Sequence, residues 1–221
     1  MKYTLIANLK SYKTLPDLIE WRDFLTDHLT SLNTDQLYLA PPFPYFHLFT
    51  SQFNLLSQDV SPFPPGSYTG AVNVDHLLDF NLKGSLVGHS ERRRYFHETN
   101  QEISNKIDLL LDKQLLPIVC LNQTNLKSQL ELLTPRQQSS CLFAYEPTSA
   151  IGSGNPADPS EVAETLALIS QITSTPTVLY GGSVSVNNLD DYLNLPHFGG
   201  FLVGHASLNP QNLVQLVTKL Q

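Results

Sequence analysis

Four polar side chains in this 221-residue chain fall where apolar, strand-like runs end, and together they compose a proton-transfer site. Glu146 closes CLFAYE, His89 follows GSLVG, and Asn8 and Lys10 follow YTLIA. A carboxylate shielded from water can take a proton from a carbon beside a carbonyl. His89 opens the segment HSERRRYF, and a helix start there disfavours the protonated ring. The neutral imidazole can donate to the carbonyl oxygen and exchange a proton with it. Lys10 and Asn8 then stabilise the developing oxyanion, where one donor is typically worth about 10²–10³ in rate. Backbone amides of Gly152, Ser183, Gly204 and His205 lie in glycine-rich turns and supply an anion nest for a phosphate handle, with no arginine clamp.

These residues need a scaffold that brings strand ends together. Strand-like runs occur at 3–8, 36–40, 54–58, 84–88, 116–121, 141–146, 177–182 and 200–205. Most are continuously apolar, as parallel strands covered on both faces are. Helical patterns fill the gaps, as in 15–32 with Leu18, Trp21, Leu25 and Leu29 on one face. Asp158-Pro159-Ser160-Glu161 and Asn209-Pro210 read as helix starts. Eight strand–helix units without a linker predict one (β/α)8 barrel domain over 1–221, compact, with short second and fifth helices. An open doubly wound sheet has a similar periodicity, so the motifs must decide. In a barrel the polar strand ends gather at the C-terminal face, where active sites lie.

Composition removes several alternatives. The net charge of −7, with Arg92-Arg93-Arg94 as the only dense basic cluster, argues against a nucleic-acid partner. Cys120 and Cys141 fall in apolar runs and read as buried, reduced thiols. MKYTLIANLK has no signal-peptide pattern, and no apolar run approaches the roughly 20 residues of a membrane span, so a cytoplasmic protein without a membrane partner is expected. GSGNPA fits the dinucleotide fingerprint formally, but Pro156 removes an amide and no acid closes the next strand. No P-loop, G-x-S-x-G or zinc spacing occurs, so neither a cofactor nor a metal is expected.

VGHSERRRYFHET (87–99), AYEPTSAIGSG (144–154), YGGSV (180–184) and GFLVGHASL (200–208) closely resemble the signatures of the triosephosphate isomerase family, in order and at compatible spacing. ANLKSYK, SYTGAV and PIVCL are fainter matches, and the resemblance spans nearly the whole chain. It implies a TIM barrel that interconverts dihydroxyacetone phosphate and glyceraldehyde 3-phosphate through an enediolate. Glu146 would be the base, His89 the electrophile, and Lys10 and Asn8 the oxyanion partners; the first two roles are those of the well-known worked case of this family. Ser90 would hold Glu146 in an open state, and Glu91 and Arg92 would support the site from behind. Loop 147–157 would close over the ligand, with Gly152 donating to phosphate. Thr69, in the Pro-rich loop 60–70, would reach a neighbouring subunit in a homodimer.

The chain departs from the family pattern in places. Thr148-Ser149 stands where the lid hinge usually carries a tryptophan, and Asn122-Gln123 replaces Gly-Glu. Gly204-His205 replaces Gly-Gly, which would be strained if the second position needed a positive φ. No catalytic group is deleted. A different phosphosugar isomerase or lyase, or a silent metabolite-binding barrel, is the alternative, since fold does not fix substrate.

Overall fold

The computed structural model describes residues 1–49, 52–151 and 154–221. The apolar runs become eight parallel strands: β1 (Thr4–Asn8), β2 (Leu37–Ala40), β3 (Asn54–Ser57), β4 (Gly84–Val87), β5 (Leu116–Leu121), β6 (Leu142–Tyr145), β7 (Val178–Tyr180) and β8 (Phe198–Val203). They close into a barrel in chain order, with β8 pairing back onto β1 from Thr4↔Gly200 to Ala7↔Val203. This settles the choice between barrel and open sheet.

Side chains alternate across a strand, so two separate cores form. Ile6, Ala40, Leu56, Leu86, Ile118, Cys120, Ala144, Leu179 and Leu202 fill the barrel interior. Their neighbours, such as Leu5, Leu39, Val119, Phe143 and Phe201, pack outward under the helices. The same alternation carries the site. Asn8 shares its parity with Ile6, and Glu146 with Ala144, so both fall on the inner side at the C-terminal rim.

The outer layer is α1 (Leu15–Leu29), α2 (Val74–Asp79), α3 (Ser90–Tyr95), α4 (Asn100–Asp112), α5 (Leu126–Leu132), α6 (Pro135–Ser140), α7 (Pro159–Thr173) and α8 (Pro210–Lys219). In α1, Leu18, Trp21, Leu25 and Leu29 are buried at helical spacing, each such aliphatic side chain contributing about 1.5–3 kcal/mol. The helix stops at Leu29, three residues short of the expected 32.

The short helices differ from expectation in an informative way. After β2 only a 3₁₀ helix forms, Phe43–Leu48, with prolines at 42 and 44. The fifth helical segment is split into α5 and α6, because Thr134 precedes Pro135 and is pushed to extended backbone before its side chain caps α6. The seventh is also reduced, to the 3₁₀ turn Leu189–Asp191, which the sequence did not predict. There Asn188 receives the Ser185 N–H at 2.8 Å and donates to Ser183 O at 3.1 Å, competing with a helix. Among the described residues, no helix is long and apolar enough to cross a membrane.

Candidate active site

Strand and loop ends enclose a cavity of about 660 Å³ lined by Asn8, Lys10, His89, Glu146, Ser183 and Gly204, among others. Its centre is a carboxylate–imidazole pair. Glu146 Oε1 lies 3.1 Å from His89 Nε2, and both side chains are buried. The other oxygen, Oε2, faces the backbone N–H of Ser90 at 3.4 Å. The contact to Ser90 therefore runs through the amide; the Ser90 hydroxyl is buried with no hydrogen-bond partner among the described residues.

His89 is the N-cap of α3, and its Nδ1 accepts the Glu91 N–H at 3.3 Å. An acceptor Nδ1 assigns the ring as the Nε2–H tautomer, which donates to Glu146. Burial favours the uncharged ring, but the adjacent Glu146, by charge and hydrogen bond, outweighs it and raises the His89 pKa. Burial likewise works against the Glu146 carboxylate, and His89 outweighs it, lowering that pKa. The helix start is where the sequence placed it, but the expectation that it would keep the ring unprotonated is overruled in this pair, because Glu146 decides the direction of the shift.

Lys10 stands beside this pair with its ammonium 2.7 Å from Glu91 Oε1, whose other oxygen is 3.7 Å from His89 Nδ1. Its backbone lies in the left-handed region, φ 51°. Asn8 Oδ1 accepts the Lys10 N–H at 3.0 Å, and Gln58 donates to the carbonyls of Lys10 and Ala40 at 2.9 and 2.8 Å. Those bonds over-determine a conformation costing about 1–3 kcal/mol. Asn8 thus spends its carbonyl oxygen on shaping the turn. Gln58 was not singled out from sequence, and only its position at the end of β3 hinted at a role. At Gly204 a Cβ would fall 2.8 Å from Lys10 Cε, so glycine there admits the lysine stem.

A charged lattice fixes the backbone just before His89. Gly88, at φ 68°, donates its N–H to Glu98 Oε2 at 3.1 Å, while its carbonyl accepts from Arg93 Nε at 2.9 Å. Glu98 is ion-paired with Lys106, which also meets Asp59 at 2.6 Å. Arg92 bonds Asp59 at 2.9 Å. Burial raises the Asp59 pKa in spite of Lys106 and Arg92. Arg92 therefore acts at a distance, lining a second cavity of about 520 Å³ with Thr69, Phe96 and Glu98. Arg93, Glu98 and Lys106 were invisible to sequence reasoning, because nothing local marks a charge as buried.

The anion end is less uniform. Ser183 adopts φ 50°, and its hydroxyl donates to Ala150 O. Gly204 precedes the 3₁₀ helix His205–Ser207, whose first return bond is Ser207 N–H to Gly204 O at 3.0 Å. The N–H groups of His205 and Ala206 thus have no intrahelical acceptor. His205 has no positive φ, so the strain feared for a non-glycine residue does not arise. Gly152, the remaining amide of the expected nest, lies outside the described residues. Ile151 and Gly154 line the same cavity as Glu146 and His89. Gln123, in place of the usual acid, accepts the Thr148 N–H at 3.2 Å and so ties the loop's first hinge to β5.

A carboxylate, an imidazole N–H and an ammonium facing one small cavity suit proton abstraction next to a carbonyl, with the negative charge held in place. A sequence model of the triosephosphate isomerase family matches residues 3–220. A triosephosphate isomerase of Mycoplasmopsis agalactiae is 32% identical, the match covering 98% of this chain and 96% of that one. One from Mycoplasmoides gallisepticum is 32% identical over 98% of each. One from Mesomycoplasma hyorhinis is 35% identical over 76% of this chain and 75% of its own length.

Proposed function

This chain belongs to the triosephosphate isomerase family, and on that premise we propose that it interconverts dihydroxyacetone phosphate and D-glyceraldehyde 3-phosphate. The observation that carries the reading is the His89–Glu146–Lys10 constellation, an acid, a ring and a cation around one cavity. The reaction follows from those groups. Glu146 takes a proton from C1 of the ketose, and the C1–H electron pair forms the C1=C2 bond of an enediolate. The carbonyl electrons move to oxygen, where His89 Nε2–H and Lys10 stabilise the charge. Proton exchange between the two oxygens through His89, and return of the Glu146 proton to C2, give the aldose with no net gain or loss of atoms.

Glu146 and His89 bond each other at 3.1 Å, and substrate binds between them. A carbonyl oxygen in place of the carboxylate removes the cause that raises the His89 pKa. Burial and the helix start then both favour the neutral donor. The phosphate is held by amides of Gly152, Ser183, Gly204 and His205. Loop 147–157 covers the ligand, excludes water and strengthens the electrostatics inside.

The test is a coupled assay on both triose phosphates. Turnover in both directions is expected; inactivity on both, with turnover of another phosphosugar, overturns the reading in favour of the runner-up enzyme on the same barrel.

The working form is a cytoplasmic homodimer. Loop 60–70 and its surroundings expose Phe63, Tyr68, Tyr95 and Phe96, with Phe63 and Tyr68 stacked at 4.6 Å. Such an aromatic patch suits a two-fold interface to which Thr69 contributes. Sedimentation at assay concentration is expected to give twice the chain mass. A fully active monomer would refute the dimer requirement.

A further inference from the structure

Arg93 grips His89 from both sides. Its backbone N–H donates to the His89 carbonyl at 3.1 Å, closing the first turn of α3. Its side chain turns back, and Nε donates to the Gly88 carbonyl at 2.9 Å. Those two oxygens belong to the two peptide planes that flank the His89 α-carbon. Bonding both therefore fixes φ and ψ of His89 together. Glu98 cannot do the same, because the Gly88 N–H that it accepts lies one plane further back.

The guanidinium is itself set by neutral groups. Nη1 donates to Asn100 Oδ1 at 2.6 Å, and Nη2 donates to Gln129 Oε1 at 2.9 Å. Both amides are turned by their other ends. Asn100 Nδ2 donates to Ser128 Oγ at 3.1 Å, and Gln129 Nε2 donates to the Asn100 carbonyl at 3.3 Å. Gln129 is fully buried and belongs to α5, in the next strand–helix unit. Three acceptors on three nitrogens leave the planar fork no freedom to turn, a fit that a lysine ammonium cannot copy. Glycine at 88 makes the room, since a Cβ there would fall 2.9 Å from Nη2. All three side-chain acceptors are uncharged oxygens, so they hold the fork by its shape.

We propose that Arg93 is a positioning residue for the isomerase reaction: its fork, set by Asn100 and Gln129, holds the Gly88–His89 peptide so that His89 Nε2 faces Glu146 and the substrate oxygens. The proposal rests on the isomerase reading for the step in which His89 serves those oxygens. Arg93 itself touches neither substrate nor the reacting atoms; it works through His89.

Arg93→Lys keeps the charge and removes the fork. Its kcat on the triose phosphates is expected to fall about 10–100-fold, the cost of a misplacement of up to about 1 Å, with KM within about twofold. The His89 Nε2–H, 3.1 Å from Glu146 Oε1, gives a second readout that needs no turnover. Its proton–nitrogen resonance, recorded with no ligand added, should move in the variant. Gln129→Met keeps the guanidinium but frees one corner, and should lower kcat about threefold with a smaller movement of that resonance. Turnover by Arg93→Lys within about twofold of the unsubstituted chain would show that charge alone suffices, and overturns the proposal. An unmoved resonance overturns it whatever the kcat or Tm, since the effect then bypasses His89. If Arg93→Lys does not fold, Gln129→Met decides: reduced kcat with a moved resonance supports the clamp, and an unmoved resonance or unchanged kcat refutes it. A moved resonance, with no triose phosphate turned over by the unsubstituted chain, would fault the isomerase reading alone.

Discussion

Glu146→Gln is expected to lower kcat by about 10²–10⁴-fold, the range a positioned general base supplies. The amide oxygen of glutamine can still accept from His89 Nε2–H, now 3.1 Å from Glu146 Oε1, so the pocket keeps its shape while losing its base. That separates chemistry from folding. Glu146→Asp retains a base but withdraws it by one methylene. It should lose about 10²-fold, the cost of roughly 1 Å of misplacement. Both variants should melt near the unsubstituted protein, and 2-phosphoglycolate should still bind. Near-normal turnover by the glutamine variant, measured with each triose phosphate after removal of any host isomerase, would show that another group takes the proton.

Lys106→Met should produce the largest loss of stability, about 3–5 kcal/mol, as expected when one partner is removed from a buried ion pair. Lys106 and Glu98 are each only 3% exposed, and the lysine also holds Asp59 at 2.6 Å. Methionine fills much of the space but leaves two acids facing each other. At roughly 2–4 °C per kcal/mol for a chain of this size, the Tm should fall by about 10 °C. The pH dependence has a definite sign. Asp59 already has a raised pKa because of burial, and losing Lys106 raises it further. A carboxyl whose folded pKa lies above its unfolded value is tolerated when protonated and loses stability as pH rises through the folded value. The deficit should therefore be largest at neutral pH and shrink toward the unfolded carboxylate range near 4. A deficit independent of pH would mean that packing, not charge, explains it. Lys113→Met is the control: its pair with Asp75, 2.6 Å, is over 40% exposed on both sides and should cost at most about 1 kcal/mol.

The same lattice links stability to the site. Lys106 holds Glu98, Glu98 holds the Gly88 N–H, and Gly88 precedes His89. Any Lys106→Met protein that folds at low temperature should show reduced kcat, because the imidazole's backbone has lost its anchor.

The strand runs and helix starts were legible because they rest on local periodicity and on caps within one turn. Strand boundaries differ from the sequence reading by at most about two residues at an end. Ser183 and Lys10 show where such reading stops: their φ values of 50° and 51° come from bonds made by Asn188, Asn8 and Gln58, not from their own propensities. The reduced seventh helix was missed for the same reason, since Asn188 reaches backward to the Ser183 carbonyl.

The sequence by itself determined a parallel α/β architecture and the identity of the chemical groups, because continuously apolar runs with helices between them must be covered on both faces, and because the motif residues lie at strand ends. Tertiary structure alone decided that Glu146 rests against His89, that Gln58 braces Lys10, and that Lys106 meets Asp59. The reason is distance along the chain. Each of these contacts joins residues from different strand–helix units, and no local preference encodes a meeting that only barrel closure brings about.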